Sequence, residues 1–179
     1  AIAVSTEGQD LGSYKKVQFP VMYPLWVGGT QVTSENASNI TGGDPVTASY
    51  NAETHILTLN NANITTGKPV GGPVYGIYYA GSDNLAIHLT GDNSVIGTER
   101  FNCGIGINGK GALTISGSGS LRTSGSDFGI TAGQTIKIES GSITASADNL
   151  AITSDKDLEI SGGTVKATGS NIGIYSWSS

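Results

Sequence analysis

The sequence predicts an all-β fold in which three short strands per rung wind into a parallel β-helix, and three observations predict it. Two of these are apolar patterns that advance together along the chain. The first starts at Leu57, Leu85, Leu113, Ile136 and Leu158, in steps of 28, 28, 23 and 22 residues. The second, Gly76-Ile77, Gly104-Ile105, Gly129-Ile130, Ala151-Ile152 and Gly173-Ile174, advances in steps of 28, 25, 22 and 22 residues. Periods in this range mark a solenoid, in which each repeat stacks only on its neighbours. The third observation is composition: 27 glycines in 179 residues and only 13% charged residues. Glycine and the many Ser, Thr and Asn are poor in helix interiors and suit short strands joined by tight turns.

Residues 1–50 precede the repeats and read as an N-terminal cap with lead-in strands; residues 51–179 carry the repeats, and the two parts form one domain. Ala1-Ile2-Ala3-Val4 reads as a mature or trimmed start. The stretch from Phe19 to Val27 is apolar with two prolines, and Gly28-Gly29 then turns into a strand at Thr30-Gln31-Val32-Thr33. A stacked sheet leaves unpaired N–H and C=O groups at its first coil, so terminal repeats act as caps; Trp26 is expected in the core of that cap. Thr41-Gly42-Gly43-Asp44-Pro45 is a loop, and Ser49-Tyr50-Asn51-Ala52 leads into the first regular rung. Gly67-Lys68-Pro69-Val70-Gly71-Gly72-Pro73 lengthens an early rung, whereas the later rungs tighten to 22 residues, enough for three short strands at ~3.3 Å per residue.

Period-2 alternation assigns the faces. Leu57 and Leu59, Leu85 and Ile87, Leu113 and Ile115, Ile136 and Ile138, and Leu158 and Ile160 face the interior. Thr58, Ala86, Thr114, Lys137 and Glu159 between them face solvent. Each pair leads on to one more apolar residue, and Ile64, Val95, Leu121, Ile143 and Val165 are expected to align. Tyr75, Cys103, Phe128, Leu150 and Ile172 share the parity of the isoleucines two positions later and are expected to face inward, which makes Cys103 a buried structural thiol. One position earlier, Val74, Asn102, Asp127, Asn149 and Asn171 read as a turn ladder whose amides bond from rung to rung. One carboxylate among amides is a poor site for a hard cation.

Charge and motifs exclude several classes. The net charge of −5 with no basic run argues against nucleic acid or an anionic membrane as partner, and no stretch reaches the ~18 to 20 apolar residues of a membrane span. One cysteine permits neither an internal disulfide nor a thiolate cluster. Gly104-Ile105-Gly106-Ile107-Asn108-Gly109 spells a dinucleotide fingerprint and Gly109-Lys110 nearly completes a phosphate loop, but both need a helix next, and Ala112-Leu113-Thr114-Ile115 is a strand. His55 and His88 stand apart from any cysteine, and no nucleophile elbow surrounds a serine. Glu139 and Glu159 could form a carboxylate pair, yet Lys137 beside them favours a solvated charge patch. Lys137, Lys166 or Arg122 could serve a lyase as base, but the calcium site such a reaction needs has no residues here. No cofactor or metal is expected.

By the same parity Gly76, Gly104, Gly129, Ala151 and Gly173 form an outward strip nearly free of side chains, with Tyr78, Gly106, Thr131, Thr153 and Tyr175 beside it and Trp177 beyond. The plainer reading is that glycine meets the turn geometry while the aromatics shield strand edges. The functional reading is a flat platform for an extended sugar chain, whose apolar faces stack on rings while hydroxyls bond at the margin; it names Tyr78, Thr131, Thr153, Tyr175 and Trp177 as candidate carbohydrate-binding residues.

Leu25-Trp26-Val27-Gly28-Gly29-Thr30-Gln31-Val32-Thr33, Ser49-Tyr50-Asn51-Ala52 and Leu57-Thr58-Leu59-Asn60-Asn61-Ala62, followed by the rungs, resemble secreted surface proteins of clostridia and other gut or rumen bacteria. More loosely, the chain is similar to pectate-lyase-like β-helix proteins described as carbohydrate-binding. The resemblance spans about residues 25 to 175. It implies a right-handed parallel β-helix, extracellular and bound to the cell surface or a polysaccharide. Calcium-binding members cluster acidic residues on one face; this sequence has no such cluster, so no catalytic or metal residue is carried over. The functional expectation is a non-catalytic extracellular carbohydrate-binding or adhesion module of a bacterial surface protein, with a polysaccharide or cell-surface glycan as partner. The alternatives are a polysaccharide lyase or glycoside hydrolase, or a structural spacer. Gly173-Ile174-Tyr175-Ser176-Trp177-Ser178-Ser179 begins another rung: either Trp177 covers it or the protein is longer, and an exposed rung would favour end-to-end self-association.

Overall fold

Short alternating runs bounded by Gly, Asn and Ser can reach their hydrogen-bonding partners only by pairing with other runs, and in the computed structural model they do so throughout. The structure describes residues 18–43, 46–97 and 101–177, and among these it is all-β, with no helix. Ala1-Ile2-Ala3-Val4, Asp44-Pro45 and Ser178-Ser179 lie outside the described residues.

The chain opens with β1 (Met22–Val27), β2 (Thr30–Thr33), β3 (Ala48–Asn51), β4 (Ile56–Asn60), β5 (Asn63–Ile64) and β6 (Lys68–Pro69). Four circuits of three strands follow: β7 (Val74–Tyr79), β8 (Leu85–Thr90) and β9 (Asp92–Val95); β10 (Cys103–Ile107), β11 (Leu113–Gly117) and β12 (Ser120–Gly125); β13 (Phe128–Ala132), β14 (Ile136–Ile138) and β15 (Ser142–Ala147); β16 (Leu150–Ser154), β17 (Leu158–Ile160) and β18 (Thr164–Gly169). A last strand, β19 (Ile172–Ser176), begins a fifth. The first sheet has eight strands in the order β19-β16-β13-β10-β7-β1-β2, with β6 also on β7; the second runs β17-β14-β11-β8-β4-β3 and the third β18-β15-β12-β9-β5. From β7 onward every third strand returns to the same sheet and pairs parallel with the one before it. At the other side pairing is antiparallel: β1 with β2 and β7, β6 with β7, and β3 with β4.

The β1–β2 hairpin turns through Gly28 and Gly29, both at positive φ (59° and 81°), as a two-residue turn matching the strand twist requires. Pro24 lacks an N–H for the ladder, and the β1–β2 register shifts between Met22 and Trp26 around it.

The interior is aliphatic. Leu57, Leu59, Leu85, Ile87, Leu113, Ile115, Ile136 and Ile138 are fully buried, as are Ile77, Ile105, Ile130 and Ile152 of the first sheet. Each such side chain contributes about 1.5–3 kcal/mol on burial. In β17, which has a neighbour on one side only, Leu158 is half-buried and Ile160 exposed.

Two columns sit differently from the sequence expectation. Leu57 pairs with Ile87 rather than Leu85. Val95 pairs with Thr123, and the column of Leu121, Ile143 and Val165 begins at Asn93. A two-residue slip preserves the inward face, so apolar alternation fixes the face and leaves the register to the loops. Asn93, 2% exposed, is fully bonded there: its Nδ2 donates to the carbonyls of Thr90, Gly91 and Ser120, and its Oδ1 accepts from the N–H of Ala62.

Candidate functional site

The outer face of the first sheet begins with a bend. In β10, Ile105 and Ile107 belong to the core and Gly106 between them points outward. Gly104 should point outward as well, yet a Cβ built on it would overlap Thr123 Oγ1, a buried atom of the third sheet. A Cβ on Gly76 would overlap Val95 Cγ1, one on Gly129 would come within 3.2 Å of Ala145 Cβ, and Ala151 in the same column is itself core. Glycine and the following isoleucine therefore both face the interior. The glycine strip expected on the outside is corrected: it lies inside, where the first and third sheets approach too closely for larger side chains.

The bend turns the preceding residue outward. Tyr75, Cys103, Phe128, Leu150 and Ile172, in register from β7 to β19, were expected inside. A Cβ on outward-facing Gly106 would lie 2.5 Å from Tyr75 Cδ1 and 3.5 Å from Cys103 Sγ, which places both side chains on the outer face. Tyr75, Cys103, Phe128 and Leu150 lie outside the central core cluster. Beside them run Tyr78, Gly106, Thr131, Thr153 and Tyr175 in register, with Trp26 of β1 opposite Tyr78.

Rings stand at both ends of this face. At the β1–β7 end, Tyr78 is 8% exposed and sits between Trp26, 5.7 Å away between ring centroids, and Tyr75, 5.0 Å away. Lys68 Nζ lies 5.2 Å from the centre of the Trp26 ring, within cation–π range. Burial, and then Cys103, Tyr78 and Asp127 nearby, hold the Tyr75 phenol above its ordinary pKa. In the middle, Phe128, Thr131 and Leu150 are half-buried and Thr153 is 5% exposed. Cys103 is buried, its Sγ–H donates to the carbonyl of Ile105 at 3.1 Å, and burial pushes the thiol pKa up. At the far end the Tyr175 and Trp177 rings meet edge to face at 5.4 Å, with Trp177 64% exposed. Four strand spacings separate Tyr78 from Tyr175, roughly 19 Å.

The turn ladder borders the face. Asn102 Oδ1 accepts from the N–H of Val74 at 2.9 Å and its Nδ2 donates to Asp127 Oδ2 at 3.2 Å, while Asn171 Nδ2 donates to Asn149 Oδ1 at 2.7 Å. The rung-to-rung amide bonding expected from the sequence is present, with the one carboxylate as an acceptor in it.

A family model described as "Carbohydrate-binding domain-containing protein" matches residues 29–179. The chain belongs to this family. Comparison with curated proteins and with solved structures finds no match. The family match takes in every circuit and the aromatic end at Tyr175 and Trp177, while Trp26 and β1 precede it.

Within this carbohydrate-binding domain-containing chain, the other candidate residues lie off the face. Lys137 Nζ and Glu159 pair at 3.0 Å, both partly exposed, on the second sheet. Arg122 and Lys166 share a column with Thr144 on the third. The stretch Gly104–Gly109 runs along β10 and into the loop before the strand β11. Among the described residues no three His, Cys, Asp or Glu groups stand close enough to hold a metal.

Trp26, expected in the core of the cap, is half-buried instead: it stands between the core residues Leu25 and Val27 and by their alternation points outward, a direction not read from the sequence. The grouping of Tyr50, His55 and Asp83 near β3 was missed in the sequence. His55, at a positive φ of 54°, accepts or donates at Nδ1 with the Tyr50 hydroxyl at 3.0 Å, and its Nε2 lies 3.9 Å from Asp83. The Tyr50 phenol is pushed up to about 12 by burial, then by Tyr79, Tyr23 and Asp83.

Proposed function

We propose that this chain is a carbohydrate-binding module whose site is the outer face of the first sheet, with Tyr78, Thr131, Thr153, Tyr175 and Trp177 along it. The observation that carries the proposal is the pairing of rings at both ends of one straight, hydroxyl-bearing column. Trp177 offers exposed ring surface and Tyr175 a half-buried ring beside it, Tyr78 holds Trp26 and Tyr75 in place, and Thr131 and Thr153 stand between. Rings of this kind stack on the apolar faces of sugars and keep a polar edge for hydroxyls. Family membership supports the same reading.

The proposed setting is an extracellular, non-catalytic binding or adhesion module of a bacterial surface protein. The proposed fold in full is a right-handed parallel β-helix capped by the described residues before position 51. Strands that return every third step to one parallel sheet support the helix, the strong preference of parallel crossovers for one hand supports right-handedness, and the antiparallel β1 and β3 support the cap. Ile160, Ile172 and Ile174, each more than 40% exposed along β17 and β19, support end-to-end self-association, which light scattering across protein concentration would detect as a dimer.

The direct test of function is affinity electrophoresis against a panel of polysaccharides, with and without calcium, comparing wild type with Tyr78→Ala/Tyr175→Ala/Trp177→Ala. The proposal expects a polysaccharide that retards the wild type and not the variant, with no product released. A wild type that no polysaccharide retards, or a variant retarded equally, contradicts it.

A further inference from the structure

We infer that the cap holds a second binding site, separate from the outer face of the first sheet: a cavity of about 220 Å³ over β5 that takes one neutral, polyhydroxylated ring. This site does not rest on the first-sheet reading, and each can fail alone.

The cavity arises where the cap is incomplete. At the cap end the first sheet is closed by β1 and β2 and the second by β3, whereas the third sheet ends at the two-residue β5, which pairs with β9 alone. The N–H groups of Ser94 and Ile96 donate to the carbonyls of Ala62 and Ile64, so the backbone N–H and C=O of Asn63 between them point to the opposite edge, which no described strand covers. The β1–β2 turn and the loop after β2 stand across from that edge and form the other walls. Side-chain hydroxyls fix these walls: Thr66 Oγ1 donates to the Gly28 carbonyl at 2.7 Å, and the Thr41 and Thr47 hydroxyls lie 2.9 Å apart.

Floor and rim differ in chemistry. Val27, Ile40 and Ile64 form an apolar floor and are 2%, 5% and 3% exposed. Around it stand the hydroxyls of Thr30, Thr41 and Thr65 and the carboxamide of Asn63. Asn63 Oδ1 accepts from Ser94 Oγ at 2.6 Å, so its Nδ2 donors are the part offered to a ligand. The lining carries no charged side chain, and a carboxylate entering it would lose water without gaining a partner. A ring with apolar C–H faces and hydroxyls at its edge matches both floor and rim. The volume lies below the ~300 Å³ at which pockets for drug-sized ligands begin, which suits one such ring and not a length of chain. A free monosaccharide or cyclitol and the terminal unit of a glycan share this chemistry.

The test follows backbone amide shifts of the full chain by NMR during titration with glucose, galactose, N-acetylglucosamine, myo-inositol and glucuronate, then with a trisaccharide ending in the ring that binds. Thr65→Val removes a hydroxyl at nearly constant shape, and Thr30→Trp places a large side chain at the exposed rim; urea unfolding checks that both variants fold. The inference expects saturable shifts at Gly28, Thr41, Asn63 and Thr65 with at least one neutral ring and at least about tenfold weaker binding of glucuronate. It expects about fivefold weaker binding in Thr65→Val and none in Thr30→Trp. A trisaccharide that moves the same amides identifies a glycan end, and shifts with the single ring alone identify a free sugar; both uphold the site. Glucuronate binding as tightly as the neutral rings, binding that neither variant weakens, or no shift at these amides with any ring overturns it. Shifts confined to Tyr78, Thr153 and Tyr175 also overturn it, while upholding the first-sheet proposal.

Discussion

Inside the first sheet, Ile77, Ile105, Ile130 and Ile152 repeat one residue type strand after strand and are fully buried. Outside it, the same strands carry Tyr78, Gly106, Thr131 and Thr153 in register. The two faces share a backbone and a hydrogen-bond ladder, so the difference lies in what constrains the side chains. The inner column must fill a cross-section that is the same in each circuit, and close packing tolerates little departure from it. The outer column faces no such mould, and its residues change from strand to strand. Stability is therefore carried by repetition on one face, and the face proposed for recognition is free to vary.

Breaking the inner face should have the largest effect. Ile105→Ala is expected to cost about 2–5 kcal/mol, read as a lower midpoint in urea unfolding, while the molecules that remain folded bind polysaccharide as before. A loss of binding out of proportion to the unfolded fraction would show that the faces are coupled.

Next in size is the glycine column at the seam between the first and third sheets. Gly104→Ala pushes a methyl into Thr123 Oγ1 and is expected to cost about 1–3 kcal/mol. Ala151→Gly, in the same column, removes a methyl already accommodated in the core, and its cost of about 0.5–1 kcal/mol comes mainly from backbone freedom. Equal costs for both would mean that the seam is looser than the built contacts indicate.

On the outer face the expectation reverses. Tyr175→Ala and Trp177→Ala should each weaken polysaccharide binding by about 1 kcal/mol, roughly fivefold, with unfolding free energy unchanged within about 0.5 kcal/mol. Calorimetry with the retarding polymer and thermal melts of the same samples separate the two.

The smallest expected effects are chemical. Cys103 is buried and its thiol is pushed up by that burial, so a thiol reagent should label it only once denaturant has unfolded the chain; labelling at the native rate of a small free thiol would place it at the surface. Tyr50 titrates from 10.0 in its ordinary state to about 12 in the fold, and a raised acid favours the neutral form. Its contribution is complete below pH 10.0, declines as the pH climbs, and is gone once the folded group ionises near 12. Tyr50→Phe should therefore flatten the fall in melting temperature over that range.

Strand positions, parallel stacking, the inward Leu and Ile columns and the asparagine ladder were all legible, because each follows from a period that repeats. Departures came where one residue broke the regular strand. At Gly104 the missing Cβ lets two successive residues face inward, and counting by twos from Ile105 then assigns Cys103 and Gly104 to the wrong sides. The offset of Leu57 against Ile87 escaped for another reason: a slip of two keeps the same face, and the loops that decide it carry no periodic signal. Trp26 was placed in a core by its apolar surroundings, although alternation with Leu25 and Val27 gave its direction. Of the candidate site, Tyr78, Thr131, Thr153 and Tyr175 were found as one register column, while Tyr75 and Phe128 on the same face were not.

The central claim is that the outer face of the first sheet is where glycan binds, and the two tryptophans of the chain, Trp26 and Trp177, stand at its opposite ends. Titrating the protein with the polysaccharide that retards it, while following tryptophan emission, tests that claim most directly. The account predicts a saturable change whose midpoint equals that of binding, and loss of part of the signal in Trp177→Phe. Binding that proceeds to saturation with the emission of both tryptophans unchanged would contradict it.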